Sequence, residues 1–200
     1  CLALSEAFDG AAAGVGSVFG LIIGTGVGGG LVLGGAVLDG AHGIAGELGH
    51  LPVPWPRGAE LDPPPCWCGL AGCCETWVSG KGFARAFQAA HGQALTAPEI
   101  VAAARDGDPA AQQALADYTD RLGRVLAQVA NLLDPEVMVL GGGMSNVAEL
   151  YPALPAIVRH HAFSDLWDGR IVPARWGDAS GVRGAARLWA DTGMEQHPAG

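Results

Sequence analysis

Apolar residues follow two different spacings along the chain, and the spacing changes from region to region. Residues 17–23 are apolar or glycine at every position except the first. A short apolar run that is bounded by glycine is typical of a buried strand. By the same criterion we expect further strands over residues 31–33, 36–38, 136–140 and 171–174.

Helical spacing characterises most of the remaining segments. Residues 109–133 predict one long amphipathic helix, because their apolar residues recur at intervals of three and four. Its expected buried face consists of Leu115, Tyr118, Leu122, Val125, Val129 and Leu132. Shorter helices are predicted over residues 1–9, 75–79, 83–90, 98–105, 151–161 and 181–190. Strands that pair early and alternate with helices later indicate a mixed α/β fold.

Composition and charge limit the partners that the protein can have. The chain has 200 residues, of which 50% are hydrophobic and 16% charged, so it can bury a core. A net charge of −9 without a cluster of lysine or arginine argues against nucleic acid and anionic membranes. Glycine interrupts the longest apolar runs, and the first residues lack the pattern of a signal peptide. We therefore expect a cytoplasmic protein with no membrane partner.

A cluster of one histidine and three cysteines predicts a metal site. The expected ligands are His50, Cys66, Cys68 and Cys73, and Cys74 is treated as a spare. One imidazole and three thiolates form a standard set for structural zinc. A disulfide or free thiols are the alternatives, but spacing of this kind in a chain without secretory features favours a metal.

Two glycine-rich segments are candidates for binding a nucleotide. Residues 24–29 match G-x-G-x-x-G, but a strand follows them where a dinucleotide-binding fold needs a helix. The alternatives are a hairpin whose amides bind phosphate, with Thr25 as a hydroxyl donor, and a glycine turn without a ligand. Residues 141–143 follow a strand and precede a helix, where a nucleoside can lie against bare backbone. A plain structural turn is the alternative there.

Taken together, these motifs resemble a known family. The residues that carry the likeness are 21–30, 46–50, 66–75, 140–146 and 177–186. In this order they resemble the ROK family of bacterial sugar kinases and repressors. The resemblance covers nearly the whole chain. It implies an α/β protein with the actin-like (ribonuclease H-like) ATPase fold, here its C-terminal lobe with a zinc-binding loop insertion.

The resemblance also implies a role for each motif. The residues that would cradle the phosphates of Mg-ATP are Gly24, Thr25, Gly26, Gly28 and Gly29. The residues that would flank the adenosine are Gly141, Gly142 and Gly143. The residues that would bind the hydroxyls of a hexose are Glu47, His50 and Glu75. His50 would also ligate zinc through its other ring nitrogen, and Trp67 is expected to pack on the zinc loop rather than on a sugar.

The resemblance places the general-base aspartate of the family just upstream of Cys1, so no catalytic residue is expected within the chain. We interpret residues 1–200 as the C-terminal lobe, without an N-terminal lobe. Residues 43–80 would bind sugar and zinc, and residues 191–200 would form a tail. The lobe alone is not expected to phosphorylate a sugar. Because the family is often dimeric, a homodimer is expected.

Within the family, details around Trp55 and Thr76 resemble fructokinases, which form fructose 6-phosphate. N-acetylglucosamine kinase and glucokinase are the alternatives within the same activity. A sugar-sensing transcriptional repressor is an alternative of another class, and it would need an added helix-turn-helix. A zinc-stabilised scaffold without a ligand is the third interpretation.

Overall fold

The computed structural model describes residues 1–188, which form a five-stranded mixed sheet covered by helices on both faces. The strands are β1 Ser17–Ile23, β2 Val27–Leu33, β3 Ala36–Val37, β4 Val137–Gly141 and β5 Arg170–Pro173. Their order across the sheet is β3-β2-β1-β4-β5. β2 runs antiparallel to β1 and β3, whereas β4 runs parallel to β1 and β5.

Seven described helices surround the sheet. They are α1 Leu2–Asp9, α2 Glu75–Val78, α3 Gly80–His91, α4 Ala97–Arg105, α5 Pro109–Leu133, α6 Leu150–His161 and α7 Ser180–Leu188. Local sequence sets the start of the longest helix, α5. Asp108 caps α5 by accepting a hydrogen bond from the Ala111 N–H at 2.8 Å, ahead of a proline in the first turn. None of the described helices has the length and apolarity needed to cross a membrane.

Alternating side chains of β1 and β4 divide the interior into two cores. Phe19, Leu21, Met138 and Leu140 face the larger core, which helices α2 to α6 complete. Val18, Val137 and Val139 face a smaller core, which α1 covers. The long helix α5 is anchored in the larger core, where the buried Tyr118 hydroxyl donates to the Val78 carbonyl at 2.8 Å.

The structure confirms the predicted elements and corrects two details. β2 begins at Val27 rather than at residue 31, because the glycines at 28–30 pair with β1 instead of forming the turn. Leu132, predicted to be buried, is 69% exposed, since the last turn of α5 extends past the core. The end of the last predicted helix and the expected tail at 191–200 lie outside the described residues.

A buried carboxylate ties α1 to the segment between β5 and α7. Glu6 Oε2 accepts from the backbone N–H groups of Ala11 and Arg175 at 2.7 and 3.0 Å. Its Oε1 accepts from the Trp176 N–H at 3.1 Å and from the Ser180 hydroxyl at 2.7 Å. Burial alone raises the pKa of Glu6, but these hydrogen bonds outweigh burial and hold it below the usual value.

The substitution Glu6→Gln tests this link. The pKa of Glu6 is lower in the folded state, so its stabilisation is present above the unfolded-state pKa and is lost as the pH falls through the folded-state pKa. We expect Glu6→Gln to lower the free energy of unfolding by about 2 kcal/mol at pH 7. Urea titrations should show the difference shrinking below about pH 4. Asp165→Asn, at an exposed position, is the control, and a difference independent of pH would contradict the assignment.

Candidate functional site

The predicted metal ligands converge. One ligand atom from each of His50, Cys66, Cys68 and Cys73 lies within 4.8 Å of every other. His50 Nδ1 is 3.6 Å from Cys66 Sγ, and Cys68 Sγ is 3.6 Å from Cys73 Sγ. Tetrahedral zinc with Zn–S bonds of about 2.3 Å needs sulfurs about 3.8 Å apart. The donor set and its spacing therefore fit a zinc ion.

A tight backbone turn brings the cysteines together. The N–H of Cys66 donates to the Leu70 carbonyl at 2.7 Å, and the N–H of Gly69 donates back to the Cys66 carbonyl at 3.1 Å. Gly69 and Gly72 have φ values of 91° and 78°, which residues with a side chain rarely adopt. Cys74 lies outside the cluster, as expected, because its thiol contacts the Pro52 carbonyl at 3.5 Å.

The thiols need a cation if they are to ionise together. Burial, followed by the neighbouring thiols Cys68 and Cys66, raises the pKa of Cys73 to about 12. The backbone N–H of Leu70 lowers the pKa of Cys68, so the neighbouring thiols Cys68 and Cys73 differ in their tendency to ionise. A bound divalent cation would offset the repulsion between neighbouring thiolates, since thiol ligands of zinc are deprotonated outright.

The first glycine segment forms the turn between β1 and β2 and the start of β2. Residues 24–26 close the hairpin beyond the pair Ile23 and Val27, with the Gly24 N–H donating to the Gly26 carbonyl at 3.0 Å. Thr25 is exposed at its tip. Gly28 and Gly29 therefore lie in strand β2, so only residues 24–26 of the predicted phosphate-binding segment form the turn.

The segment that carries Glu47 and His50 lies directly on this hairpin. A Cβ added at Gly29 would come within 2.3 Å of the Gly46 carbonyl oxygen, and one at Gly49 would come equally close to the Val27 oxygen. Only glycine permits backbones to approach this closely. Glu47 is exposed at the start of the 3-10 turn Leu48–His50, beside β2.

Glu75 joins the hairpin to the cysteine loop. Its Oε2 accepts from the Val27 N–H at 3.0 Å, and its Oε1 accepts from the Trp67 indole N–H at 2.8 Å. Trp67 also meets the His50 ring edge-on, with ring centroids 4.9 Å apart. The three predicted sugar-binding residues thus lie around one end of β2.

The second glycine segment reaches the same end of the sheet. A Cβ at Gly142 would lie 2.6 Å from the Ile23 carbonyl oxygen, so residues 141–143 lie against the end of β1. At the start of α3, the Gly80 N–H donates to the Gly24 carbonyl at 2.9 Å. Met144, which directly follows the second glycine segment, also lies beside Gly80: its Cγ would be 3.9 Å from a Cβ added there. The two glycine segments predicted to bind the nucleotide are therefore neighbours.

Sequence patterns gave no indication of a buried ion pair that holds the long loop before Cys66. Arg124 of α5 is 1% exposed and donates to both Glu60 oxygens at 2.7 and 2.9 Å. It also donates to the Pro54 and Trp55 carbonyls at 2.6 and 3.0 Å. Although burial raises the pKa of Glu60, the bonds from Arg124, the Arg57 N–H and Arg121 hold it below the usual value.

The strand order, the strand directions and the helices on both faces define an actin-like (ribonuclease H-like) ATPase lobe. The cysteine loop is an insertion in this lobe. The model of the ROK family matches residues 1–192, and the chain belongs to this family.

Named relatives agree with this assignment. An N-acetyl-D-glucosamine kinase from Pectobacterium carotovorum is 42% identical in an alignment of 192 residues, and the match covers 94% of this chain and 63% of the relative. The ROK hexokinase of Thermus thermophilus is 35% identical with a TM-score of 0.82, over 94% of this chain and 62% of that structure. A ROK glucokinase from Streptomyces griseus, solved with glucose and AMPPNP, is 29% identical with a TM-score of 0.81. The match covers 94% of this chain and 64% of that structure.

A regulator shares the same lobe. A ROK transcriptional regulator that is a homologue of the E. coli MLC protein is 32% identical with a TM-score of 0.76, over 92% of this chain and 48% of that structure. The chain spans about 63% of the length of the curated kinase quoted above. None of these relatives is named a fructokinase, so they do not support the fructokinase subgroup in particular.

The substitution Glu60→Gln tests the loop anchor. Glu60→Gln removes the buried charge that pairs with Arg124, which then keeps only its ion pair with the half-buried Asp120 at 2.9 Å. We therefore expect a loss of about 3 kcal/mol in the free energy of unfolding, at the lower end for breaking a buried pair. Glu99→Gln, which changes an exposed capping carboxylate of α4, is the control with a loss of about 1 kcal/mol. Urea denaturation followed by circular dichroism measures both, and equal losses in the two variants would contradict the anchoring role.

Proposed function

We propose that this chain is the C-terminal, substrate-binding lobe of a ROK hexose kinase, which transfers the γ-phosphoryl group of MgATP to a sugar hydroxyl. The observation that supports this most is the contact between residues 46–49 and the glycine hairpin. It puts the candidate sugar-binding residues beside the candidate phosphate-binding backbone. Catalysis of phosphoryl transfer depends mainly on such positioning and on neutralising charge.

In this proposal the nucleotide is bound chiefly by backbone. The hairpin residues Gly24, Thr25 and Gly26 present amides and a hydroxyl to the phosphates, and β2 continues the surface with Gly28 and Gly29. Residues 141–143 flank the adenosine. A chain with a net charge of −9 needs amides and Mg²⁺ to bind such an anion.

Glu47, His50 and Glu75 bind the sugar in this proposal. The Nδ1 of His50 faces Cys66, which leaves Nε2 for a sugar hydroxyl. Each oxygen of Glu75 already accepts one hydrogen bond from the protein. A carboxylate offers about four acceptor positions, so Glu75 retains capacity for sugar hydroxyls.

We further propose that the Cys/His cluster binds a structural zinc ion. Four protein ligands close the coordination sphere, so the ion serves to fix the loop and the His50 ring and does not bind substrate.

The acceptor is proposed to be an N-acetylhexosamine, because relatives that are 42% identical are named N-acetyl-D-glucosamine kinase and N-acetylgalactosamine kinase. The expectation of fructose depended on Trp55 and Thr76. Both side chains have other contacts: Trp55 stacks on His161 with centroids 4.9 Å apart, and the Thr76 hydroxyl donates to the Cys73 carbonyl at 2.7 Å. Neither contact provides a reason to select fructose.

A sugar-sensing repressor is the second candidate, supported by the regulator with the same lobe. Four further expectations stay predictions. They are a general base upstream of Cys1, no kinase activity in this chain alone, a homodimer and a cytoplasmic location.

The metal proposal predicts about one zinc ion per chain by elemental analysis. Cys73→Ser should lose the metal and lower the melting temperature, because ligand loss removes binding energy that stabilises the fold. Cys74→Ser, at the adjacent thiol outside the cluster, is the matched control and should retain the metal. Loss of the metal from Cys74→Ser with retention in Cys73→Ser would contradict the ligand assignment.

The sugar proposal predicts that the zinc-loaded chain binds N-acetylglucosamine more tightly than glucose or fructose. Glu47→Ala should weaken binding about 100-fold, as expected for the loss of a charged hydrogen bond. Isothermal titration calorimetry measures this, with Asp165→Ala as the control. Tighter binding of fructose would restore the fructokinase assignment, and binding of no hexose would contradict the proposed function.

A further inference from the structure

The cysteine loop displays a large aromatic side chain that its own packing does not bury. Trp67 lies between the candidate ligands Cys66 and Cys68, and 80% of its surface is exposed. Within the cysteine loop and its surroundings, the ring contacts His50 in a T-shaped arrangement, and most of its remaining surface is exposed. This position beside the candidate sugar-binding residues allows the tryptophan to contact a ligand, since ligand sites are lined mainly by apolar and aromatic side chains.

The orientation of the ring is set by the candidate sugar-binding residues. The indole N–H donates to Glu75 Oε1 at 2.8 Å. The planes of the Trp67 and His50 rings are inclined at 84° in a T-shaped arrangement, and their centroids are 4.9 Å apart. Glu75 is in turn held by the Val27 N–H at 3.0 Å. Trp67 is therefore ordered before a ligand arrives, which reduces the entropic cost of binding.

We propose that Trp67 determines acceptor specificity: its free indole surface packs against the C–H face of a hexopyranose, whose hydroxyls bind His50 and Glu75. This inference rests on the proposed function. A pyranose carries its hydroxyls around the rim and presents C–H groups on a face, and covering that face with an aromatic ring removes apolar surface from water. The furanose form of fructose presents a smaller flat C–H face, so Trp67 favours pyranose acceptors.

Two variants separate the aromatic surface from the indole N–H. Trp67→Phe keeps a ring but loses the hydrogen bond to Glu75, whereas Trp67→Ala loses both. Calorimetry with N-acetylglucosamine on the zinc-loaded chain should give about a tenfold higher Kd for Trp67→Ala and less than about a threefold change for Trp67→Phe. Phe163→Ala removes another aromatic side chain that is 98% exposed, and it should leave the Kd unchanged.

Metal content and fluorescence show whether the loop remains intact. Each variant should retain about one zinc ion per chain. N-acetylglucosamine should also protect the unaltered chain from iodide quenching of its tryptophan fluorescence, and this protection should be absent from Trp67→Phe. If Trp67→Ala loses zinc, the comparison of iodide protection between the unaltered chain and Trp67→Phe shows whether the sugar covers Trp67.

Several outcomes would overturn the inference. An unchanged Kd in a zinc-loaded Trp67→Ala protein would do so, as would equal weakening in Trp67→Phe, which would assign the effect to the N–H. Sugar that gives no protection from iodide would also overturn it. A change in oligomeric mass with unchanged sugar binding would assign Trp67 to a protein interface instead. If the unaltered chain binds no hexose, the proposed function fails, and this inference fails with it.

Discussion

A buried ion pair holds the part of the molecule that has the least regular structure. The loop between His50 and Cys66 contains one 3-10 turn, and its attachment to the lobe depends on Glu60 and Arg124. Arg124 also binds two loop carbonyls, so one side chain of α5 satisfies several polar groups at once. A buried charge without such partners would cost several kcal/mol, and this penalty makes the arrangement specific.

The remaining constraints act on the segments that flank this loop on both sides. Gly29 and Gly46 bring the backbone before His50 onto the hairpin, and Glu75 accepts hydrogen bonds from both the hairpin and the cysteine loop. The candidate sugar, phosphate and metal residues therefore form one continuous unit. In this arrangement, the order of the cysteine loop is expected to affect the orientation of both His50 and Trp67.

The same lobe occurs in relatives named as kinases and in one named as a regulator. The lobe therefore does not by itself distinguish a kinase from a regulator. Within the lobe, side chains that contact the acceptor are expected to set its identity. Trp67 is such a candidate, whereas Trp55 and Thr76 are engaged elsewhere.

Local sequence determined much of this protein. Periodicity predicted the strands and helices, α5 with its stated bounds among them, and the spacing of His50, Cys66, Cys68 and Cys73 predicted their convergence. Tertiary structure alone decided the pairing of Glu60 with Arg124, the burial of Glu6 and the exposure of Trp67. Periodicity and close spacing report contacts within an element or a short loop. Glu60 and Arg124 are 64 residues apart, and their contact depends on how the loop packs against a helix.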